Sequence, residues 1–213
     1  MTAPRPWARE GTAFLALDFE TTGLDCRRDR VVEIGALRFR AVGGSGGATA
    51  FREEAAFAAL VDPGMPMPYQ ARAIHGISDA DLEGAPRFAS LAPALLALAG
   101  DAIIVAHNAP FDISFLESEL ARAGLASPRN ASLDTRRLAK EAFPLERSYR
   151  LGSLAERLGI EPGRAHRALD DARACMDLLA ACASALAGHR ASRRSRAPEP
   201  ASSGREGTGL GRG

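Results

Sequence analysis

The sequence is poor in several features, and each shortage excludes a class of protein. Only three of its 213 residues are cysteines (Cys26, Cys175 and Cys182), an odd number without a C-x-x-C pair. That count argues against a disulfide-rich secreted scaffold and predicts reduced thiols. No apolar run is long enough for a transmembrane helix or a secretory signal. We therefore expect a cytoplasmic protein with no membrane partner.

An excess of charge of one sign is also missing. The formal net charge is +1, so the chain as a whole gives no polybasic signal for nucleic acid or membrane. Residues 188–213 carry a net charge of +4, which leaves about −3 for the remainder. An acidic body that binds an acidic substrate needs cations between the two. Hydrophobic residues make up 46%, which is typical of one globular domain with a core.

Hydrophobic patterning predicts an α/β domain at residues 13–187, between a flexible leader (1–12) and a disordered, basic low-complexity tail (188–213). Glycine-rich residues 43–47 predict a turn between strands. Apolar runs predict an antiparallel meander of three strands and a later buried strand, at 14–19, 30–40, 57–61 and 102–106. Apolar spacing and end signals predict helices at 88–98, 110–123, 135–141, 151–158 and 167–186.

Two carboxylates stand at the end of the first predicted strand, in the segment Leu-Asp-Phe-Glu-Thr-Thr-Gly. Asp18 and Glu20 are two residues apart, so their side chains leave the same face of the strand. Two adjacent like charges are unfavourable unless a cation neutralises them, and Mg²⁺ prefers oxygen ligands of this kind. The pair indicates a metal site, with an ordinary solvated strand end as the alternative.

A second acidic motif, His-Asn-Ala-Pro-Phe-Asp, spans residues 107–112. It follows a buried strand and begins a helix, where the helix dipole favours a carboxylate such as Asp112. Taken alone, Asp112 is better explained as a plain acidic residue in a first helical turn.

The third motif contains two adjacent acids, Asp170 and Asp171, at the start of the last helix. The helical period places Asp171 on the flank of the apolar stripe and Asp170 on the solvated face, so Asp171 is the better candidate for a site. His166 lies five residues earlier, about 140° around a helix from Asp171. The two side chains converge only if His166 precedes the helix in a loop, which Gly163 permits.

In this order, the three motifs resemble those of the DEDDh (DnaQ-like) 3′→5′ exonuclease superfamily. Residues 73–77 (Ala-Ile-His-Gly-Ile) and 134–136 (Asp-Thr-Arg) also resemble that superfamily. The resemblance covers residues 14–186 and is greatest to the epsilon proofreading subunits of bacterial DNA polymerase III. It implies a ribonuclease H-like fold, a mixed β-sheet with three antiparallel strands first and flanking α-helices.

The resemblance also implies roles for residues of this sequence. Asp18, Glu20, Asp112 and Asp171 would hold two Mg²⁺ (or Mn²⁺) ions, and His166 would act as general base. A terminal nucleotide would lie between residues 21–24 and the second motif. The implied substrate-binding residues are Asp18, Glu20, Thr21, Thr22, Gly23, Leu24, Gln70, His75, Asn108, Phe111 and Asp171. His107 is interpreted as structural.

The expected reaction is hydrolysis of terminal phosphodiester bonds of DNA in proofreading or repair, releasing nucleoside 5′-monophosphates. An RNA-trimming enzyme similar to ribonuclease T or oligoribonuclease is an alternative within the superfamily. A non-catalytic nucleic-acid-binding module is an alternative of another class, although no expected acid or histidine is missing. The expected partners are single-stranded or frayed DNA 3′ ends. A DNA polymerase is a further candidate, although no Gln-x-x-Leu-x-Phe-like clamp-binding stretch follows Leu186.

Overall fold

The fold is built on a five-stranded mixed sheet, seen in a computed structural model that describes residues 9–43, 49–161, 163 and 166–195. The strand order is β3-β2-β1-β4-β5. Strands β1, β2 and β3 form an antiparallel meander, whereas β4 and β5 run parallel to β1. The strands are β1 (Ala13–Thr21), β2 (Val31–Gly43), β3 (Thr49–Leu60), β4 (Ile103–Ala106) and β5 (Ser132–Asp134). The predicted order of three antiparallel strands followed by a buried strand is confirmed.

Two strands differ from the prediction. β3 begins at Thr49, well before the predicted residue 57, because its first half lies on the sheet edge and lacks an apolar alternation. β5 has three residues and was not predicted, since so short a segment has no readable period. β2 and β3 pair up to Gly43 opposite Thr49. Most of the glycine-rich turn predicted between them, residues 44–48, lies outside the described residues.

In the described part of the chain, six α-helices flank the sheet, and the one between residues 69 and 75 was not predicted. They are α1 (Tyr69–His75), α2 (Phe88–Ala99), α3 (Ala109–Arg122), α4 (Thr135–Ala142), α5 (Leu151–Leu158) and α6 (Ala168–Ser195). None of the helices in the described part of the chain is long and apolar enough to span a membrane.

The sheet separates two apolar layers. On one face, Phe14 stacks on Phe39 with ring centroids 5.3 Å apart, and the buried stripe of α6 covers both. On the other face, Leu15 and Leu17 pack with residues of α2 and α3. Successive β1 side chains therefore enter opposite layers, and β1 is buried on both sides.

Both predicted ends of the domain need correction. Gly11 and Thr12, expected in the flexible leader, extend the pairing of β1 with β2: Gly11 N–H donates to the Ala41 carbonyl, and Ala41 N–H donates to that of Thr12, each at 2.9 Å. Helix α6 continues to Ser195, past the expected boundary at Gly188, because a glycine costs a helix only about 1 kcal/mol and alanine and arginine favour it. Residues 1–8 and 196–213 lie outside the described part.

The parallel arrangement of β1, β4 and β5 positions the site. The carboxyl ends of parallel strands meet at one edge of a sheet, so the segments that follow them converge. Asp18 and Glu20 lie at this end of β1, residues 107–112 follow β4, and Asp134 ends β5.

Candidate active site and nucleotide pocket

Asp18 and Glu20 lie on one face at the end of β1, as the strand period predicts. Asp18 is half-buried and Glu20 has only 9% of its surface exposed. Across the antiparallel pair, Glu20 lies opposite Glu33 of β2. Directly opposite residues share a face of the sheet, so Glu33 brings a third carboxylate to the same side.

Asp112 joins the group from the first turn of α3 and is buried. Its Oδ1 accepts the backbone N–H of Phe19 at 3.2 Å, which ties the end of β1 to a residue 93 positions later. The chain enters α3 through Asn108, whose φ of 79° is left-handed, and Pro110 occupies a tolerated first-turn position. This tight entry directs Asp112 back towards β1.

The expected convergence of His166 and Asp171 is confirmed. His166 lies in a turn before α6, with a φ of 61°, and its backbone N–H donates to Oδ2 of Asp171 at 3.1 Å. Potential ligand atoms of Glu20, His166 and Asp171 lie within 4.8 Å of one another. The Oδ1 atom of Asp170 instead lies 3.6 Å from Nη1 of Arg173, as expected for the solvated side of the helix.

Without a bound cation, the surroundings of the site disfavour the ionised form of its carboxyl groups. Burial, followed by repulsion from Asp112, Asp171 and Glu20, raises the pKa of Asp18 well above its usual range. Burial also raises the pKa of Glu20 to about 7, with a further contribution from Asp171. The pKa of Asp112 rises to about 8 through burial, although the Phe19 N–H opposes the shift. Burial likewise raises the pKa of Asp171.

This set of groups fits a hard divalent cation. Four carboxylates supply oxygen ligands, and a cation among them would offset both the burial and the repulsion that raise their pKa values. His166 supplies a nitrogen at the exposed side of the cluster.

Glu33 is a residue of this site that the sequence analysis missed. Its side chain accepts bonds from Arg167 Nε at 3.0 Å and from the Ala168 backbone N–H at 3.1 Å. The first residue of α6 is thereby held against β2. A charged residue within the apolar run Val-Val-Glu-Ile was the available signal, because an isolated acid in a buried strand needs a partner.

Gly35 allows this close approach of α6 to β2. A Cβ at this position would collide with the backbone of Ala168 and Leu169, which has no flexible side-chain end to move away. A glycine in a strand interior often marks such a close backbone approach.

A cavity of about 320 Å³ lies beside the carboxylates and contains most of the predicted nucleotide-binding residues. Thr21 is held in the loop by its hydroxyl, which donates to the Gly23 carbonyl at 2.6 Å. Leu24 has 84% of its surface exposed, an unusual state for leucine. The predicted residues that line this cavity are Glu20, Thr21, Thr22, Gly23, Leu24, Gln70, His75 and Phe111.

His75 reaches this cavity from the last turn of α1 and is buried. Its Nδ1 accepts the Ile77 N–H at 3.0 Å, so the proton of the neutral ring is on Nε2. Nε2 is buried without a hydrogen-bond partner among the described residues. Burial lowers the pKa of His75, opposed by the nearby Thr21 carbonyl. A buried donor without a partner within the protein is available to form a hydrogen bond with a ligand.

A larger cavity of about 690 Å³ adjoins the first one, since Phe19 and Glu20 line both. Asp18, His166 and Asp171 line it, and so does Asn108, which does not line the smaller cavity. Its remaining polar residues, Arg136, Tyr149, Arg150 and Ser153, were not predicted. Exposed arginines have no distinguishing period, so only the fold identifies these two.

His107 has the structural position expected of it. Its Nε2 is 2.8 Å from the Tyr149 carbonyl, and its Nδ1 is 3.0 Å from the Thr135 hydroxyl. Since a carbonyl only accepts, Nε2 carries the proton and Nδ1 accepts from Thr135. Burial lowers the pKa of His107, which favours this neutral form.

Comparison with known proteins identifies related sequences. A family model described as exonuclease (RNase_T) matches residues 15–179. DNA polymerase III subunit epsilon of Treponema pallidum (strain Nichols) is 38% identical over 172 residues, which cover 80% of this chain and 76% of that protein. The PolC-type DNA polymerase III of Thermotoga maritima is 39% identical over 160 residues, covering 75% of this chain but 11% of that polymerase.

Comparison with solved structures gives the same assignment. Exonuclease X in complex with 5′ overhanging duplex DNA is similar with a TM-score of 0.58 and 27% identity, covering 80% of this chain and 90% of that one. Together with the five-stranded mixed sheet, these similarities confirm the expected ribonuclease H-like fold.

Proposed function

This chain belongs to the exonuclease family, and from that membership we propose that it removes nucleotides from DNA 3′ ends by metal-dependent hydrolysis. The observation that carries the proposal is the position of Glu20 between the two cavities. A terminal nucleotide in the smaller cavity would place its phosphodiester bond beside the carboxylates. The rest of the strand would continue into the larger cavity.

In this proposal, Asp18, Glu20, Asp112 and Asp171 hold two Mg²⁺ or Mn²⁺ ions. Such a metal pair stabilises the attacking and leaving oxygens of an in-line displacement. The Phe19 N–H restrains the Asp112 carboxylate, and the His166 N–H restrains that of Asp171. The protein thus orients two of the four carboxylates through its own backbone.

His166 serves as the general base and takes a proton from the attacking water. Its side chain is exposed at the mouth of the carboxylate group, so water has access to it. An imidazole nitrogen is a common proton acceptor in general base catalysis. The hydroxide then attacks phosphorus as the bond to the 3′ oxygen of the preceding nucleotide breaks. That oxygen takes a proton from solvent, to which His166 returns its own, so the products are a nucleoside 5′-monophosphate and a strand shortened by one nucleotide.

The smaller cavity is proposed to bind the terminal nucleotide. Leu24 and Phe111 pack on the base, because both offer apolar surface at the cavity. The unpaired Nε2 donor of His75 binds a polar atom of the same nucleotide. Thr21, Thr22, Gly23 and Gln70 complete this wall, and Asn108 contacts the strand from the larger cavity. None of these groups implies a preference for one base.

DNA is proposed as the substrate because of the relatives. The epsilon and PolC-type relatives are named for DNA polymerase III, and Exonuclease X is seen with duplex DNA. We place the reaction in proofreading or repair, with a single-stranded or frayed 3′ end as substrate and a DNA polymerase as a candidate partner.

The test compares 5′-labelled DNA and RNA oligonucleotides of one sequence, with Mg²⁺, with Mn²⁺ and with EDTA. We expect a ladder of products shortened one nucleotide at a time from the DNA 3′ end, and no products in EDTA. Asp18→Asn is the matched inactive control, since it keeps the side-chain shape and removes the charge. Faster degradation of RNA than of DNA would reassign the substrate, and products in EDTA would contradict the metal requirement.

A further inference from the structure

Two arginines form a cationic wall of the larger cavity, which the carboxylates also line. Arg136 and Arg150 line it, and both are exposed. Among the residues that the structure describes, neither arginine forms an ion pair with an acid. By contrast, Arg30 pairs with Glu119 and Arg40 pairs with Glu54.

His107 brings these two arginines to one wall. Arg136 follows Thr135, whose hydroxyl hydrogen-bonds to His107 Nδ1, and Arg150 follows Tyr149, whose carbonyl hydrogen-bonds to His107 Nε2. One half-buried ring therefore joins the start of α4 to the segment just before α5. The positive charge of Arg136 helps to lower the pKa of His107, which places that guanidinium near the ring.

Further contacts hold each arginine in its segment. The Asp134 carboxylate caps α4, accepting the Arg136 N–H at 2.9 Å and also the Asn108 N–H at 3.1 Å. The Tyr149 hydroxyl donates to the Phe143 carbonyl at 2.7 Å, which fixes the turn that ends at Arg150. The two backbones are thus anchored at the cavity that both residues line.

We propose that Arg136 and Arg150 bind the first phosphate upstream of the scissile bond. This inference rests on the proposed function. If the terminal nucleotide fills the smaller cavity and its phosphate meets the carboxylates, the next nucleotide enters the larger cavity. Its own phosphate is then an anion inside a cavity whose only unpaired cations, among the described residues, are these two arginines. The carboxylates repel that phosphate, so the cationic wall also sets the direction of the strand.

The ligand is therefore the charged backbone of a nucleic-acid strand. Guanidinium groups bind phosphate oxygens through paired N–H donors, and such contacts position a strand without reading its bases. A single nucleotide ester lacks the upstream phosphate and gains nothing from the wall.

The experiment compares two substrates in Arg136→Ala and Arg150→Ala. One is a short oligothymidylate, and the other is the p-nitrophenyl ester of thymidine 5′-monophosphate, which has only the phosphate that is cleaved. We expect the ratio of kcat/KM for the oligonucleotide to that for the ester to fall about five- to tenfold in each variant at low salt. The slope of log kcat/KM against log salt should become shallower by about 0.7 for the oligonucleotide.

Matched controls are available in the adjacent sequence. Arg137→Ala and Arg147→Ala make the same charge change at exposed arginines that do not line the cavity. Their substrate ratio should match that of the parent protein. An equal fall in Arg137→Ala would overturn the proposal, because the effect would then belong to overall charge.

A neutral linkage tests the assignment to one phosphate. A methylphosphonate at the second linkage from the 3′ end should raise KM in the parent protein, and this penalty should largely vanish in the two arginine variants. A penalty that is equal in parent and variants would refute the contact. If the parent protein hydrolyses neither substrate with Mg²⁺ or Mn²⁺, the proposed function itself fails. If it hydrolyses both and the ratio stays constant in the variants, only the role of the wall fails.

Discussion

The backbone N–H of His166 donates to the Asp171 carboxylate at 3.1 Å, and this bond joins a proposed base to a proposed metal ligand five residues later. Two helical residues at this spacing would diverge by about 140°. The left-handed φ of 61° at His166 reverses the chain before α6 and removes the divergence. A non-glycine residue in this conformation costs of order 1 kcal/mol, so the surrounding contacts hold it there.

Replacing His166 should separate catalysis from metal binding. We expect His166→Ala to lower the turnover number by roughly 10² to 10⁴, the usual contribution of a positioned general base. Mn²⁺ affinity, measured by calorimetry, should remain close to that of the parent protein. His166→Gly should have the same low turnover number as His166→Ala. Its Tm should be higher than that of His166→Ala, because glycine adopts the left-handed conformation without strain. A variant that no longer binds Mn²⁺ would make His166 a metal ligand.

The stability of the metal-free protein should depend on pH through the site carboxylates. The pKa of Glu20 is raised to about 7 and that of Asp112 to about 8. A carboxyl group whose pKa is higher in the folded state contributes to stability below its unfolded pKa, and the contribution is lost as pH rises through the folded pKa. We therefore expect the Tm in EDTA to fall from about pH 4 to about pH 8.

Metal ions and a charge-neutral variant provide the comparison. Adding Mg²⁺ should raise the Tm more at pH 8 than at pH 5.5, because the carboxylates that bind it are ionised at the higher pH. In Asp18→Asn, the Tm in EDTA should fall less with rising pH, and Mg²⁺ should raise the Tm less than in the parent protein. The same variant should have no nuclease activity. If the Tm of the parent protein and of the variant falls equally with rising pH in EDTA, Asp18 does not destabilise the site.

Glu33 should support catalysis without touching substrate. Glu33→Gln weakens the bonds to Arg167 and to the Ala168 N–H, so we expect a loss of about 1–2 kcal/mol in the free energy of unfolding. Because the start of α6 holds His166 and Asp171, kcat should fall more than KM changes. Glu53→Gln is the control, since its pair with Arg173 is long, at 3.8 Å, and half-exposed. Equal kcat and KM values in Glu33→Gln and Glu53→Gln would show that Glu33 does not support catalysis.

Gly35 should tolerate no side chain. Gly35→Ala should destabilise the protein by about 1–3 kcal/mol and lower kcat, because α6 must move away from β2 to admit the methyl group. Gly188→Ala in the same helix meets no atom within 4 Å and should stabilise the protein by up to about 1 kcal/mol. Denaturant titration measures both changes, and a neutral Gly35→Ala would show that the helix start is free to shift.

Local patterns in the sequence placed the candidate acids on their elements, and the order of the three motifs joined them into one predicted site. The two-residue period of a strand placed Asp18 and Glu20 on one face, and the apolar stripe of α6 favoured Asp171 over Asp170. Both inferences depend only on the geometry of a single element, and the structure agrees with them. The same holds for the antiparallel meander, since strands that are consecutive in the chain usually pair with each other.

Other features depended on how distant segments pack. Glu33 enters the site because the β1–β2 register sets it opposite Glu20, and Arg136 and Arg150 share a wall because His107 bonds to both of their segments. The sequence by itself determined which side chains carry charge and which face of each element they occupy. The tertiary structure alone decided which faces meet, because strand order, register and helix contacts are set by packing between residues far apart in the chain.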